Sequence, residues 1–285
     1  MIRLSYHDKP DGEAIMRGMI KLSLGAVILV LGGGLLVTLI AKANQSQQCV
    51  ECKINLRMLG FGLLNYQDIY GRFPPGTISN PELTSDRRLS WYADAWAFVG
   101  DGQMGLILDR TNAWDDEKNL DPHWRSHDMT EPEALGHFTL WLCPANPARA
   151  PSGIAGYTHY VGVAGIGAEA ADAPPSYPLI GVFGYDRQTR LSDIQDGARN
   201  TLLVIETATD NGPWTRGGPS TVRALDPNGP PYLGPLGQFS SLHRPHVTHA
   251  VFADGSVRAL NECMEPHILE AMATIAGGES VVDDY

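Results

Sequence analysis

Between Lys21 and Lys42 lie 20 residues without a charge, most of them Leu, Val, Ile, Gly and Ala. As a helix rising about 1.5 Å per residue, such a run is roughly 30 Å long, the thickness of a bilayer's hydrocarbon core. In lipid each backbone N–H and C=O must find its partner within the segment, so a lone apolar segment there has to be helical. This run therefore dictates the layout of the chain. A short polar tail is expected at 1–18, a transmembrane helix at 19–43 and an extracytoplasmic domain at 44–285. Two alternatives remain at this level. A soluble core helix has the same composition, and a cleaved signal peptide has a shorter apolar region, though Ala41-Lys42-Ala43 places small residues around a Lys. Arg3, Lys9, Arg17 and Lys21 precede the run, against Lys42, Lys53 and Arg57 after it. That bias favours a cytoplasmic N-terminus and a single pass through the cytoplasmic (inner) membrane. Gly32-Gly33-Gly34 would weaken a helix in water; in lipid it reads either as a close-packing face for another helix or as a point of local unwinding.

The helix is expected to continue past the membrane to Tyr70. Leu56, Leu59, Leu63, Tyr66 and Tyr70 recur at intervals of three and four, which puts them on one face, against a core. Gly71 and Pro74-Pro75 end it. Beyond this point the chain reads as strands with long loops. Strands are expected at 138–142, 157–164 and 201–207, and a hairpin at 248–260 around Asp254-Gly255. A short helix is expected at 265–275. The 31 Gly and 20 Pro imply many turns, and residues 208–236 read as one long loop. One N-terminal helix followed by strands without βαβ alternation gives an α+β fold with a mostly antiparallel sheet.

A net charge of −11 argues against nucleic acid as a partner, and against the domain lying flat on anionic lipid. No G-x-S-x-G elbow and no Gly-rich phosphate loop occurs, and no enzyme is expected. Four cysteines do not make a disulfide scaffold. Cys49-x-x-Cys52 are neighbours on a helix face, with Cys143 and Cys263 as further disulfide candidates of undetermined connectivity. His243, His246 and His249 are spaced workably for Zn²⁺, but entry into a strand turns such a spacing to alternate faces. The expectation is no bound metal.

Several strings occur together and in order: NLRMLGFGLLNYQDIYGRFPPG from Asn55, Ser90-Trp91, LCP at 142–144, THYVGVAG at 158–165, GVFG at 181–184, TRLSDIQDGARNTLLVIE at 189–206 and FADGSV at 252–257. With ATIAGGE at 273–279, the set resembles a large bacterial family of prepilin-like proteins of unknown function, over roughly residues 45–285. That family carries a pilin-type N-terminal helix, similar to that of the major type II secretion pseudopilin, and a C-terminal signature of His, nine residues and Asp-Gly. The resemblance implies a helix packed on an antiparallel sheet, exported and held at the membrane. Its signature falls on His243, Asp254 and Gly255, with ten residues between His243 and Asp254 instead of nine. Gly18-Met19 matches the point where prepilins are processed, but Ser23 stands where the assembly-promoting Glu would be. Pseudopilins of this kind often bind Ca²⁺ in a loop. Asp115-Asp116-Glu117 is the acidic candidate here, although its spacing fits no Ca²⁺ loop.

Two functions follow as expectations. The first is a non-catalytic, membrane-anchored pilin-like or pseudopilin-like component of a secretion or cell-envelope assembly, whose partners are the bilayer and other anchored subunits. The alternative is an anchored extracytoplasmic domain with a metal-binding or hydrolytic role.

Overall fold

The computed structural model describes residues 12–99, 108–120, 139–150, 156–244 and 247–278. Helix α1 covers Gly12–Tyr70, and the chain divides within it into two compact units, Met1–Gln47 and Gln48–Tyr285. In the first unit Leu29, Val30, Leu31, Leu35, Leu36, Val37, Leu39 and Ile40 all stand exposed. From Leu29 on, α1 is long and apolar enough to cross a membrane, alone among the described helices in this respect. So much uncovered apolar surface is unfavourable in water, and a single-pass anchor accounts for it.

In the second unit the rest of α1 buries a stripe of Cys52, Leu56, Leu59, Leu63 and Tyr66, while Tyr70 stays exposed. Two glycines bring the helix close to its neighbours. A Cβ on Gly60 would meet Val251 Cγ2 at 2.6 Å, and one on Gly62 would meet Val99 Cγ2 at 2.0 Å. Both positions therefore demand the smallest residue, whatever its cost in helix propensity. Helix α2, Tyr92–Val99, supplies Tyr92 and Trp96 to an aromatic knot with Trp91, Trp141 and Trp214.

The strands are β1 (Tyr157–Thr158), β2 (Tyr160–Ile166), β3 (Leu202–Glu206), β4 (Gly212–Pro213), β5 (Val222–Leu225), β6 (Val247–Phe252) and β7 (Val257–Asn261). The first and fourth form a small pair, and the others a sheet in the order β5-β2-β3-β6-β7. Among the described residues only β2 and β5 run parallel; the remaining pairings are antiparallel. The class is α+β, as the element pattern implied. Alternation along the strands sends residues to two cores. Tyr160, Ala164, Leu203 and Val251 belong to the core shared with α1 and α2. Val161, Val163, Leu202, Ile205 and Phe252 belong to a second core, closed by Leu269 and Met272 of the last helix, α4 (Pro266–Ala273), and by Tyr232, Leu233 and Phe239. The short α3, Glu117–Leu120, lies outside both.

Two local expectations fail. Thr139–Trp141 is a turn of 3₁₀ helix instead of a strand. Pro144 has no N–H to continue a ladder, and the Cys143 N–H is taken by the His159 ring. The expected loop at 208–236 contains β4 and β5. Four residues, VRAL, are too few to show a period, and β2 alone gives them their partners.

Candidate functional site

The C-terminal end of β3 places Glu206 opposite Tyr160, the first residue of β2, on the face covered by α1. Around this carboxylate the fold gathers side chains from four other places: Cys49 and Cys52 from α1, Cys143 after the 3₁₀ turn, His243 from the loop before β6, and His249 from β6. Cys52, Cys143, Glu206, His243 and His249 are all buried. His243 Nε2 lies 3.2 Å from Glu206 Oε1 and 3.2 Å from Cys143 Sγ. Its Nδ1 lies 3.4 Å from Cys49 Sγ. The other carboxylate oxygen, Oε2, accepts from the His249 backbone N–H at 3.2 Å and lies 3.3 Å from His249 Nδ1. Ser241 donates to Oε1 at 3.4 Å, and Tyr160 donates to Cys52 Sγ at 3.4 Å.

These contacts set the protonation pattern. Burial alone would raise the Glu206 carboxyl, but hydrogen bonds from His243 and His249 outweigh it and hold it at about 2. Burial alone would push His243 down, yet Cys143 and Glu206 together carry it up to about 10. The hydrogen bond from Cys52 draws the Cys143 thiol below its ordinary value against burial, and His243 adds to this. Burial pushes Cys52 itself well up. In the free protein the cluster thus reads as an imidazolium between a carboxylate and an acidified thiol. One thiol sulfur each from Cys52 and Cys143, one Glu206 oxygen and one His243 nitrogen lie within 4.8 Å of one another.

The expected residues sort as follows. His243 and His249 come together, their rings 4.8 Å apart and nearly perpendicular, but through Glu206 rather than as a trio of histidines. His246 lies outside the described residues. All four cysteines are free thiols, with Cys263 exposed at the end of β7. Asp254 and Gly255 act in the hairpin: Asp254 Oδ1 accepts the Ser256 N–H at 2.8 Å, and Gly255 has φ +82°. A Cβ on Gly255 would meet Leu64 of α1 at 2.8 Å. His243 and Gly255 therefore stand at two places where the C-terminal hairpin region meets α1. The acidic loop is occupied by structural contacts: Asp115 pairs with Arg87 at 3.1 Å, Asp116 caps the Lys118 N–H, and Glu117 opens α3. Gly18 and Met19 lie within α1. Sequence reasoning sees in Glu206, as in Asp193 and Asp196, only a carboxylate near a turn, and places no partner base beside it. Its available signal was a lone carboxylate ending the apolar run TLLVIE, where a buried strand leaves it no solvent.

No curated protein and no solved structure matches this chain. The model of one family, described as a protein of unknown function (DUF1559), matches residues 50–228. The match takes in Cys52, Cys143 and Glu206 and stops before His243, Asp254 and Gly255. It spans more than half of the sequence, and the chain belongs to the DUF1559 family of proteins of unknown function.

Proposed function

We propose that this protein is a non-catalytic, single-pass component of a membrane-bound assembly, pilin-like in organisation, with a cytoplasmic N-terminus and an extracytoplasmic domain. The observation that carries this reading is a second apolar stripe on α1. Val50, Ile54, Met58 and Phe61 follow one another at helical spacing and are 55, 52, 42 and 52% exposed, while Leu56, Leu59 and Leu63 are fully buried. A contiguous apolar face of this kind on a folded domain marks a contact surface. Because it follows the membrane-length run in the same helix, its partners are subunits held in the same membrane, further copies of this chain among them. Secretion and cell-envelope assemblies built from anchored subunits are the class this arrangement suits. The Cys–His–Glu cluster then serves as a tie between α1 and the sheet, so that load on the anchor reaches the whole domain.

The test is photocrosslinking in native membranes from positions 58 and 61, compared with an exposed position on β7 such as Ala259. Products from the stripe alone, lost in the Phe61→Asp variant, are expected. A domain that stays uncrosslinked from the stripe would remove the assembly role.

A further inference from the structure

We propose that Cys52, Cys143, His243 and Glu206 form a closed Zn²⁺ site that fastens α1 to the sheet. The argument begins with a mismatch in hydrogen bonding. His243 Nε2 bears at most one proton, yet Cys143 Sγ and Glu206 Oε1 both stand 3.2 Å from it. One N–H cannot serve two acceptors well, whereas a cation at the centre of the cluster serves every donor at once. The spacing agrees. Ligands about 2.0–2.3 Å from a tetrahedral Zn²⁺ stand roughly 3.3–3.8 Å from one another. The two measured separations fall just below that range, and the full set closes within 4.8 Å. Side-chain shifts of about 1 Å or less, outward for the 3.2 Å pairs and inward for the widest, therefore admit the ion.

The donor set selects the metal. Thiolates exclude Ca²⁺ and Mg²⁺, which take oxygen, and a carboxylate beside an imidazole suits Zn²⁺ better than Cu⁺. All four positions are filled from the protein, the mark of a structural site rather than a catalytic one. A supporting layer is already in place. Cys49 Sγ sits at His243 Nδ1, where the Nδ1–H can donate to it and leave Nε2 free for the metal. His249 fixes Glu206 through Oε2 and leaves Oε1 to ligate. Tyr160 donates to Cys52. On binding, the two thiols and His243 give up their protons to solvent, and the ion meets two thiolates, a carboxylate and a neutral imidazole. The inference does not depend on the assembly role, since it concerns how the domain is held together.

The experiment is metal analysis and intact mass of the full-length protein, extracted in detergent with reductant and dialysed against metal-free buffer, before and after Zn²⁺ loading. About one tightly held Zn²⁺ per chain is expected in the wild type and in Cys263→Ser. Cys143→Ser and His243→Gln should lose it, and Cys49→Ser should weaken binding by about 10–100-fold. Co²⁺ substitution supplies a reading on the wild type alone, should the variants fail to fold. A tetrahedral spectrum with sulfur-to-cobalt charge transfer from two thiolates is expected, and a six-coordinate spectrum without that band would overturn the site. So would wild-type protein that takes up no Zn²⁺, or a mass short by two hydrogens that persists under Zn²⁺, which would make Cys52–Cys143 a disulfide. Zinc retained in both Cys143→Ser and His243→Gln would place the ion elsewhere and sink the proposal.

Discussion

The two faces of the five-stranded sheet are built on opposite principles. Toward α4 the core is made of Val161, Val163, Leu202, Ile205, Phe252, Leu269 and Met272, with Tyr232 at its edge donating its hydroxyl to Glu270. Toward α1 the same strands β3 and β6 carry Glu206 and His249 into a buried cluster with His243, Cys52 and Cys143. Removing apolar surface from water stabilises the first face wherever shapes fit, about 25 cal/mol per Å². The second face pays a desolvation cost for each charge and recovers it only through well-placed partners. Such a cluster is weak evidence for stability on its own account. Its value lies in specificity: it fixes which turn of α1 sits over which strand, where a purely apolar face would tolerate a slide.

Three substitutions sharpen that contrast. The largest effect is expected for Glu206→Ala, which strands His243 and His249 in the interior without their carboxylate. A loss of about 3–5 kcal/mol should appear in denaturant unfolding of the full chain in detergent. With a chelator present, the gap from wild type should shrink, because both proteins then lack the metal-supported contacts. Next is Leu269→Ala on the opposite face. It should cost about 2–5 kcal/mol through lost burial and the cavity left behind, by the same amount with or without chelator. A chelator-dependent cost at Leu269, or none at Glu206, would erase the distinction between the faces. The smallest effect is expected for Gly255→Ala, about 1–3 kcal/mol, since φ +82° is strained for any residue with a Cβ and Leu64 stands in its way. Melting should report that loss with the zinc content unchanged. A simultaneous loss of metal would mean that the hairpin's seat on α1 and the cluster respond as one unit.

The motifs that the sequence left incomplete share a cause. The Cys-x-x-Cys pair and the three histidines each suggested chemistry, but each was an incomplete set. One sulfur belongs with one imidazole and one carboxylate from other elements, and Cys49 is 194 residues from the His243 it touches, Cys143 a further partner at 100. Periodicity carries no information across such separations. Glu206 stood out no more than Asp193 or Asp196 for a similar reason, because a single carboxylate at a strand end looks the same whether it ends in solvent or in a core.

What the sequence by itself determined is local: a helix of membrane length, its buried stripe at Leu56, Leu59, Leu63 and Tyr66, the apolar strand at 202–206 and the turn at Asp254-Gly255. Each follows from a short-range rule, the 3.6 or 2-residue period or a residue's allowed φ, that operates wherever the segment finds itself. Only the tertiary structure decided that 222–225 is a strand, that 139–141 is a turn, and that Cys52, Cys143, Glu206 and His243 share one small volume. Those outcomes depend on which backbone hydrogen bonds and which buried charges find partners, and the partners come from distant parts of the chain.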